Sequence, residues 1–129
     1  MPTKSEFPSL YLAAHRAGTI AGEALNPVPM IVEEHAQPMN DSSPVVKSWY
    51  VPQGVCGFAW VTLPGRTAFA KYLVSEGVGR KGDSYSPGVK VWVRGFGQSY
   101  EKKSAYAAAF AGVLANAGIV GVYPGGRLD

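Results

Sequence analysis

The chain has 129 residues, 47% of them hydrophobic, which suits one compact core and argues against a disordered or multidomain protein. A formal charge of +3 allows an anionic partner but is too small to mark a dedicated nucleic-acid scaffold. The single cysteine, Cys56, excludes an intrachain disulfide or a thiolate metal cluster, and no stretch nears the roughly 20 apolar residues that span a bilayer, so a reducing, cytoplasmic setting without a leader or membrane segment is expected.

Ser9 is placed to cap a helix over Leu10–Leu25, which Asn26-Pro27 stops because proline lacks an amide donor and restricts the residue before it. Ala14, Gly18, Ala21 and Gly22 give that helix a small-residue face suited to close packing. Residues 26–44 contain four prolines and read as an extended segment, with Val28–Val32 as an edge strand, followed by a loop. Val45–Val51 and Val55–Leu63 are β-branched and aromatic, and Pro52-Gln53-Gly54 between them predicts a hairpin turn; the second run is apolar on both alternating faces, as a central strand would be.

Arg66–Glu76 is predicted to form a helix with Phe69 and Leu73 inward and Gly77 as its left-handed stop. Residues 79–88 lack periodicity and read as an exposed loop. Val89–Arg94 alternates, with Val89, Val91 and Val93 on one face and Lys90, Trp92 and Arg94 on a wetter one. Ser99 can cap a long helix over Tyr100–Ala117 that ends at Gly118, and Ile119–Tyr123 reads as a last short strand before a PGGRLD turn.

The pattern AFAxxLxxxG occurs at Ala68–Gly77 and again at Ala109–Gly118, each time after a strand containing Trp-Val (Trp60-Val61 and Trp92-Val93) and a glycine turn with an arginine nearby. Two similar strand–helix units imply an α/β domain, or alternatively α+β, spanning residues 1–129, with about three helices on a four- to five-stranded mixed sheet. Right-handed crossovers would set the strands at Val55, Val89 and Ile119 parallel, with the Val45 strand antiparallel beside them. The turns at Pro64–Arg66, Arg94–Ser99 and Pro124–Arg127 would then share the carboxyl edge of the sheet, where open sheets of this kind bind ligands.

That arrangement predicts an anion site in which the backbone of Gly95, Gly97, Gln98, Ser99 and Tyr100 meets the positive end of a helix dipole, with Arg66, Arg94 and Arg127 supplying guanidinium forks. Lys102 and Lys103 in the first turn of that helix, an unfavourable place for positive charge, point the same way, and Lys102 joins the candidate ligand-binding set. The competing reading is turn-making glycines and solvated lysines. GFGQS is neither a Walker loop nor a dinucleotide fingerprint. A second possibility is base stacking on Trp92 between Lys90 and Arg94, against which stands burial of Trp92 under the long helix. His15 and His35 show no catalytic or metal-ligand spacing and read as surface residues, Cys56 reads as an inert thiol, and the acidic residues are scattered. A non-enzymatic binder without cofactor or metal is therefore favoured over an enzyme.

The segments GVCGFAWV (Gly54–Val61), GQSYEKKSAYAAAFAGVL (Gly97–Leu114), GGRLD (Gly125–Asp129) and AAHRAGTIAGEALNPVPMIV near the start resemble a family of small uncharacterised proteins of tailed bacteriophages. The resemblance implies expression in the cytoplasm of an infected bacterium and carries over no functional residue. The expected function is a non-enzymatic phage accessory protein that binds a nucleotide or other phosphate compound, with countering host defence as one role for it. The alternatives are a host- or virion-protein contact through the Tyr85 loop and aromatic faces, and a small single-stranded nucleic-acid binder. Self-association is also expected, since the small-residue helix and the tryptophan faces suit a symmetric partner.

Overall fold

The computed structural model describes residues 2–37 and 39–129. The first helix, α1 (Phe7–Ala24), begins three residues earlier than the sequence implies. The reason is Pro8: in the first helical turn its missing amide costs no hydrogen bond, and a 3-10 turn at Lys4–Glu6 leads into it. The helix ends as expected before Pro27, with the Leu25 amide donating to the Ala21 carbonyl at 3.2 Å.

The extended segment that follows makes β1 (Met30–His35), paired antiparallel with β2 (Val45–Val51) in a two-stranded ribbon of their own. Of the loop expected within 26–44, Pro38 lies outside the described residues. The hairpin expected across Pro52–Gly54 does not form. Gly54, at φ +75°, turns the chain out of the ribbon, and a Cβ there would lie 2.6 Å from the Val28 carbonyl oxygen. Only glycine fits where the two strands of the ribbon leave the body.

The body contains β3 (Gly57–Leu63), α2 (Ala68–Ser75), β4 (Arg80–Lys81), β5 (Val89–Trp92), α3 (Tyr100–Asn116) and β6 (Tyr123–Leu128). Its sheet has the order β4-β5-β3-β6, and the fold is α+β. Neither sheet is mixed: every pairing is antiparallel, which corrects the parallel arrangement inferred from crossover handedness. Two local features set these directions. After α2 the chain returns through the loop closed by the Gly82 amide on the Gly88 carbonyl (2.7 Å), so β5 enters opposite the end of β3, Val89 against Leu63. After α3 the Ile119 amide donates to Leu114 O at 3.0 Å, which removes it from strand pairing, and Gly121 at φ +82° reverses the chain. The last strand therefore lies at Tyr123–Leu128 instead of Ile119–Tyr123.

The repeated AFAxxLxxxG pattern has a structural meaning. Phe69, Ala70 and Leu73 on α2 and Phe110, Ala111 and Leu114 on α3 enter the same core. Gly77 and Gly118 both have positive φ and close identical helix ends: Gly77 N–H to Val74 O and Val78 N–H to Leu73 O, Gly118 N–H to Ala115 O and Ile119 N–H to Leu114 O, all at 3.0 Å. The two Trp-Val strands meet head to tail, with Trp60 directly opposite Trp92 and Val61 opposite Val91.

The core lies on one face of the sheet. Ala59, Val61 and Leu63 of β3 and Val89 and Val91 of β5, with Val93 just beyond it, pack under α2 and α3, and each buried Leu or Phe contributes about 1.5–3 kcal/mol. α1 then packs along α3, and glycine sets its distance: a Cβ at Gly18 would lie 2.6 Å from the Tyr106 ring and one at Gly22 2.3 Å from the Phe96 ring. Gly18→Val is expected to lower stability in urea melts by about 1–3 kcal/mol, the range for overpacking. Gly112→Ala, on an exposed turn of α3 with no heavy atom within 4 Å of the new Cβ, is expected to raise stability by about 0.4–1 kcal/mol.

Candidate functional site

Helices cover one face of the four-stranded sheet, and alternation sends a distinct set of side chains to the other. Cross-strand partners share a face, so the register places Phe58, Trp60 and Thr62 of β3 with Trp92 and Lys90 of β5, Arg80 of β4, and Tyr123, Gly125 and Arg127 of β6. Arg94 follows Trp92 by two residues and continues the alternation. Within the paired strands this set holds three cations and no acid, while Asp83 borders its Arg80–Lys90 corner and Asp129 follows Arg127 at the end of β6.

The aromatic rings form its centre. Trp60 and Trp92 stand 4.8 Å apart between centroids, and Phe58 meets Trp92 edge to face at 6.4 Å. Trp60 lies across β6, since a Cβ on Gly125 would sit 2.7 Å from its Nε1. Cations flank the rings: Lys90 Nζ is 4.9 Å from the Trp60 centroid, and Lys103 Nζ and the Arg127 guanidinium carbon are each 5.3 Å from that of Phe58. Lys90 also hydrogen-bonds Ser86 in the loop that Asp83 orders by accepting the Tyr85 and Ser86 amides at 3.0 and 2.9 Å. Trp92 is thus half-buried against Trp60 on the helix-free face, not under α3.

β4 pairs with β5 only at Val89 and Lys90. Beyond that short pairing a cleft of about 690 Å³ opens between β5, α1 and the end of α2, within the size range of small-ligand pockets. Tyr11, Phe96 and Tyr106 supply apolar walls, and His15, Glu23 and Arg94 supply polar groups. His15 Nδ1 and the Tyr106 hydroxyl are 2.6 Å apart. His15 is exposed, as its sequence context implies, but this link across 91 positions has no sequence signal. Burial, with a smaller contribution from nearby Tyr11, raises the Tyr106 pKa beyond the ordinary tyrosine range.

The predicted anion site is divided. Arg127 belongs to the open face and Arg94 lines the cleft beside it, but Arg66 follows the far end of β3, about 17 Å of strand away from Phe58. A common rim for three arginines required parallel strands, and antiparallel pairing separates them. The Gly95–Tyr100 turn is bound to the start of β3: Ser99 N–H donates to Phe96 O at 3.1 Å, Tyr100 N–H to Val55 O at 3.0 Å, and Gln98 O accepts the Gly57 amide at 3.2 Å. Gly95 lines the cleft and Gly97, at φ +57°, shapes the turn. Ser99 caps α3 as expected, accepting the Lys102 amide at 3.3 Å.

Internal carbonyls occupy the two lysines at the helix start. Lys102 Nζ donates to Gly22 O at 3.0 Å and Leu25 O at 2.8 Å, meeting the negative end of the α1 dipole. Lys103, buried, donates to Gly57 O at 3.1 Å. The cations have protein acceptors because two other segments end at this point. The open-face set has no single local signal: alternation exposes Phe58 with Trp60 and Lys90 with Trp92, but only register joins the two pairs.

Lys102→Met leaves the Gly22 and Leu25 carbonyls without this charged donor, so a loss of about 1.5–3 kcal/mol is expected by urea denaturation at neutral pH. For Tyr106 the unfolded phenol ionises first. Stability present below about pH 10 falls as pH rises past that value, and Tyr106→Phe is expected to flatten this fall in denaturant melts at about pH 8 and about pH 11.

No protein-family model matches the chain, and no curated protein or solved structure matches it either.

Proposed function

We propose that the protein binds single-stranded nucleic acid on the open face of its four-stranded sheet. The observation that carries this reading is the register: it aligns Phe58, Trp60 and Trp92 with Arg80, Lys90 and Arg127 on one surface, with Arg94 two residues beyond Trp92. Aromatic faces stack bases of any sequence, and guanidinium and ammonium groups hold the phosphates between them. The spacing favours a strand over a single nucleotide. Arg80 and Arg127 stand three strands apart, about 14 Å across the sheet and about 13 Å along it, farther than one phosphate group spans.

Trp60 and Trp92 supply stacking area, with Gly125 keeping the Trp60 indole flat against β6. Lys90 and Arg127, beside the rings, meet the backbone on either side of a stacked base. Arg94 borders both the face and the cleft, where a base turned off the sheet would lie among Tyr11, Phe96 and Tyr106. A second reading, a lone nucleotide or other phosphate compound held in that cleft by Arg94, rests on the cleft's volume. In an infected bacterium, the setting implied by the phage resemblance, both ligands are abundant. No helix among the described residues is long and apolar enough to cross a membrane.

Tryptophan fluorescence titrated with short DNA and RNA oligonucleotides and with mononucleotides tests these readings together. Oligonucleotides are expected to quench emission, with a slope of about −3 in log K against log salt if four cations each neutralise a phosphate. Trp92→Ala is expected to weaken binding by about 1–3 kcal/mol. Arg94→Ala and Arg127→Ala should each reduce the salt slope, while Arg66→Ala should leave affinity unchanged. Binding of mononucleotides alone would transfer the function to the cleft, and no response to either ligand would overturn both readings.

A further inference from the structure

The ribbon of β1 and β2 is incomplete as it stands. Among the described residues its strands pair only with each other, and apolar side chains emerge on both faces: Ile31 and Tyr50 on one, Val32 and Trp49 on the other, with Val45 and Val46 farther along β2, all exposed. A lone two-stranded ribbon is marginal in water. The accessible surface of the chain is 8011 Å², against about 6,600 Å² for a compact monomer of its 13.7 kDa mass. The excess, about 1,400 Å², is larger than the roughly 800 Å² that each partner brings to a standard interface.

Charge selects the edge that a second copy can occupy. β1 carries Glu33 and Glu34, so pairing β1 with its own copy would gather four carboxylates. β2 reads VVKSWYV, without proline or acid, and Lys47 is its one charged residue. An antiparallel two-fold centred on Ser48 sets Lys47 opposite Trp49, Val46 opposite Tyr50 and Val45 opposite Val51 of the second copy. Within one chain Lys47 Nζ already lies 4.8 Å from the Trp49 ring centroid, so cation and indole are compatible neighbours. Cross-strand pairs of these kinds are the ones that stabilise sheets.

We propose that β2 pairs edge to edge with β2 of a second copy of this chain, antiparallel about a two-fold axis at Ser48, to form a continuous four-stranded sheet β1-β2-β2-β1. Such an isologous contact closes on itself and covers an edge that would otherwise recruit other strands. The contact is independent of the nucleic-acid face, which belongs to the other sheet.

Sedimentation of the full chain is expected to give twice the mass of the monomer, and Val46→Glu with Tyr50→Glu, both on exposed positions, should halve it without changing the circular dichroism spectrum. In a Cys56→Ser background, Ser48→Cys is expected to form a disulfide-linked dimer under a mild oxidant, because the axis brings the two Cα atoms to about 4.5–5.5 Å, within disulfide reach. Ile31→Cys on the opposite strand should not. A monomer at high concentration, a dimer indifferent to the glutamates, or cross-linking through Ile31→Cys in place of Ser48→Cys would each overturn the proposal.

Discussion

Five consecutive residues at the start of α3 tie together segments that are far apart in the chain. Ser99 is completely buried, caps the helix and bridges to Cys56, while the Tyr100 amide holds Val55. Glu101 accepts the Val28 amide at 3.0 Å, Lys102 closes the end of α1, and Lys103 reaches Gly57 O. The acid lies at the positive end of the α3 dipole and Lys102 at the negative end of the α1 dipole, so both charges are favourable once the helices meet. The consequence is geometric: the end of α1, the root of the ribbon and the start of β3 converge on one helical turn.

From that junction the molecule divides into surfaces with different chemistry. Except at the cleft beside β5, the α1–α3 contact, set by Gly18 and Gly22 against Tyr106 and Phe96, closes the helix side of the sheet. Apolar side chains alternate toward it and the aromatic and cationic ones are left on the face that no helix covers. The sheet's short edge strand matters as much. Because β4 ends after two residues, the outer edge of β5 beyond Lys90 opens into the cleft, and Arg94 borders the face and the cleft together. The ribbon is the opposite case: it has two faces and no core of its own, and apolar residues on both are exposed.

Local signals in the sequence were reliable where one helical turn contains all of the physics. Ser99 before α3 and Gly77 and Gly118 at helix ends act through hydrogen bonds to residues a few positions away, and Pro27 after α1 acts by lacking an amide donor and restricting the residue before it. The start of α1 is ambiguous in the sequence because Ser9 and Pro8 both suit a first turn, and the helix begins at the earlier one. Ile119 reads as a strand residue but closes a helix, because an apolar run after a glycine satisfies either a helix cap or a ladder. The lysines of α3 suggest an external anion when read locally, because their acceptors, Gly22, Leu25 and Gly57, are 46 to 80 positions away.

By itself the sequence determined the three helices and the runs that form β2, β3 and β5, the small-residue face of α1, the alternation of valines against Lys90, Trp92 and Arg94, and the twin helix ends of α2 and α3, but not β4 or β6, because each of the former depends on backbone preference or periodicity over a few residues. Only the tertiary structure decided the direction and order of the strands, the separation of Arg66 from Arg94 and Arg127, the meeting of Trp60 with Trp92, and the isolation of the ribbon. The reason is that strand pairing is non-local: the same alternating residues can pair parallel or antiparallel, and loop reversals such as Gly82–Gly88 and Gly121 choose between them.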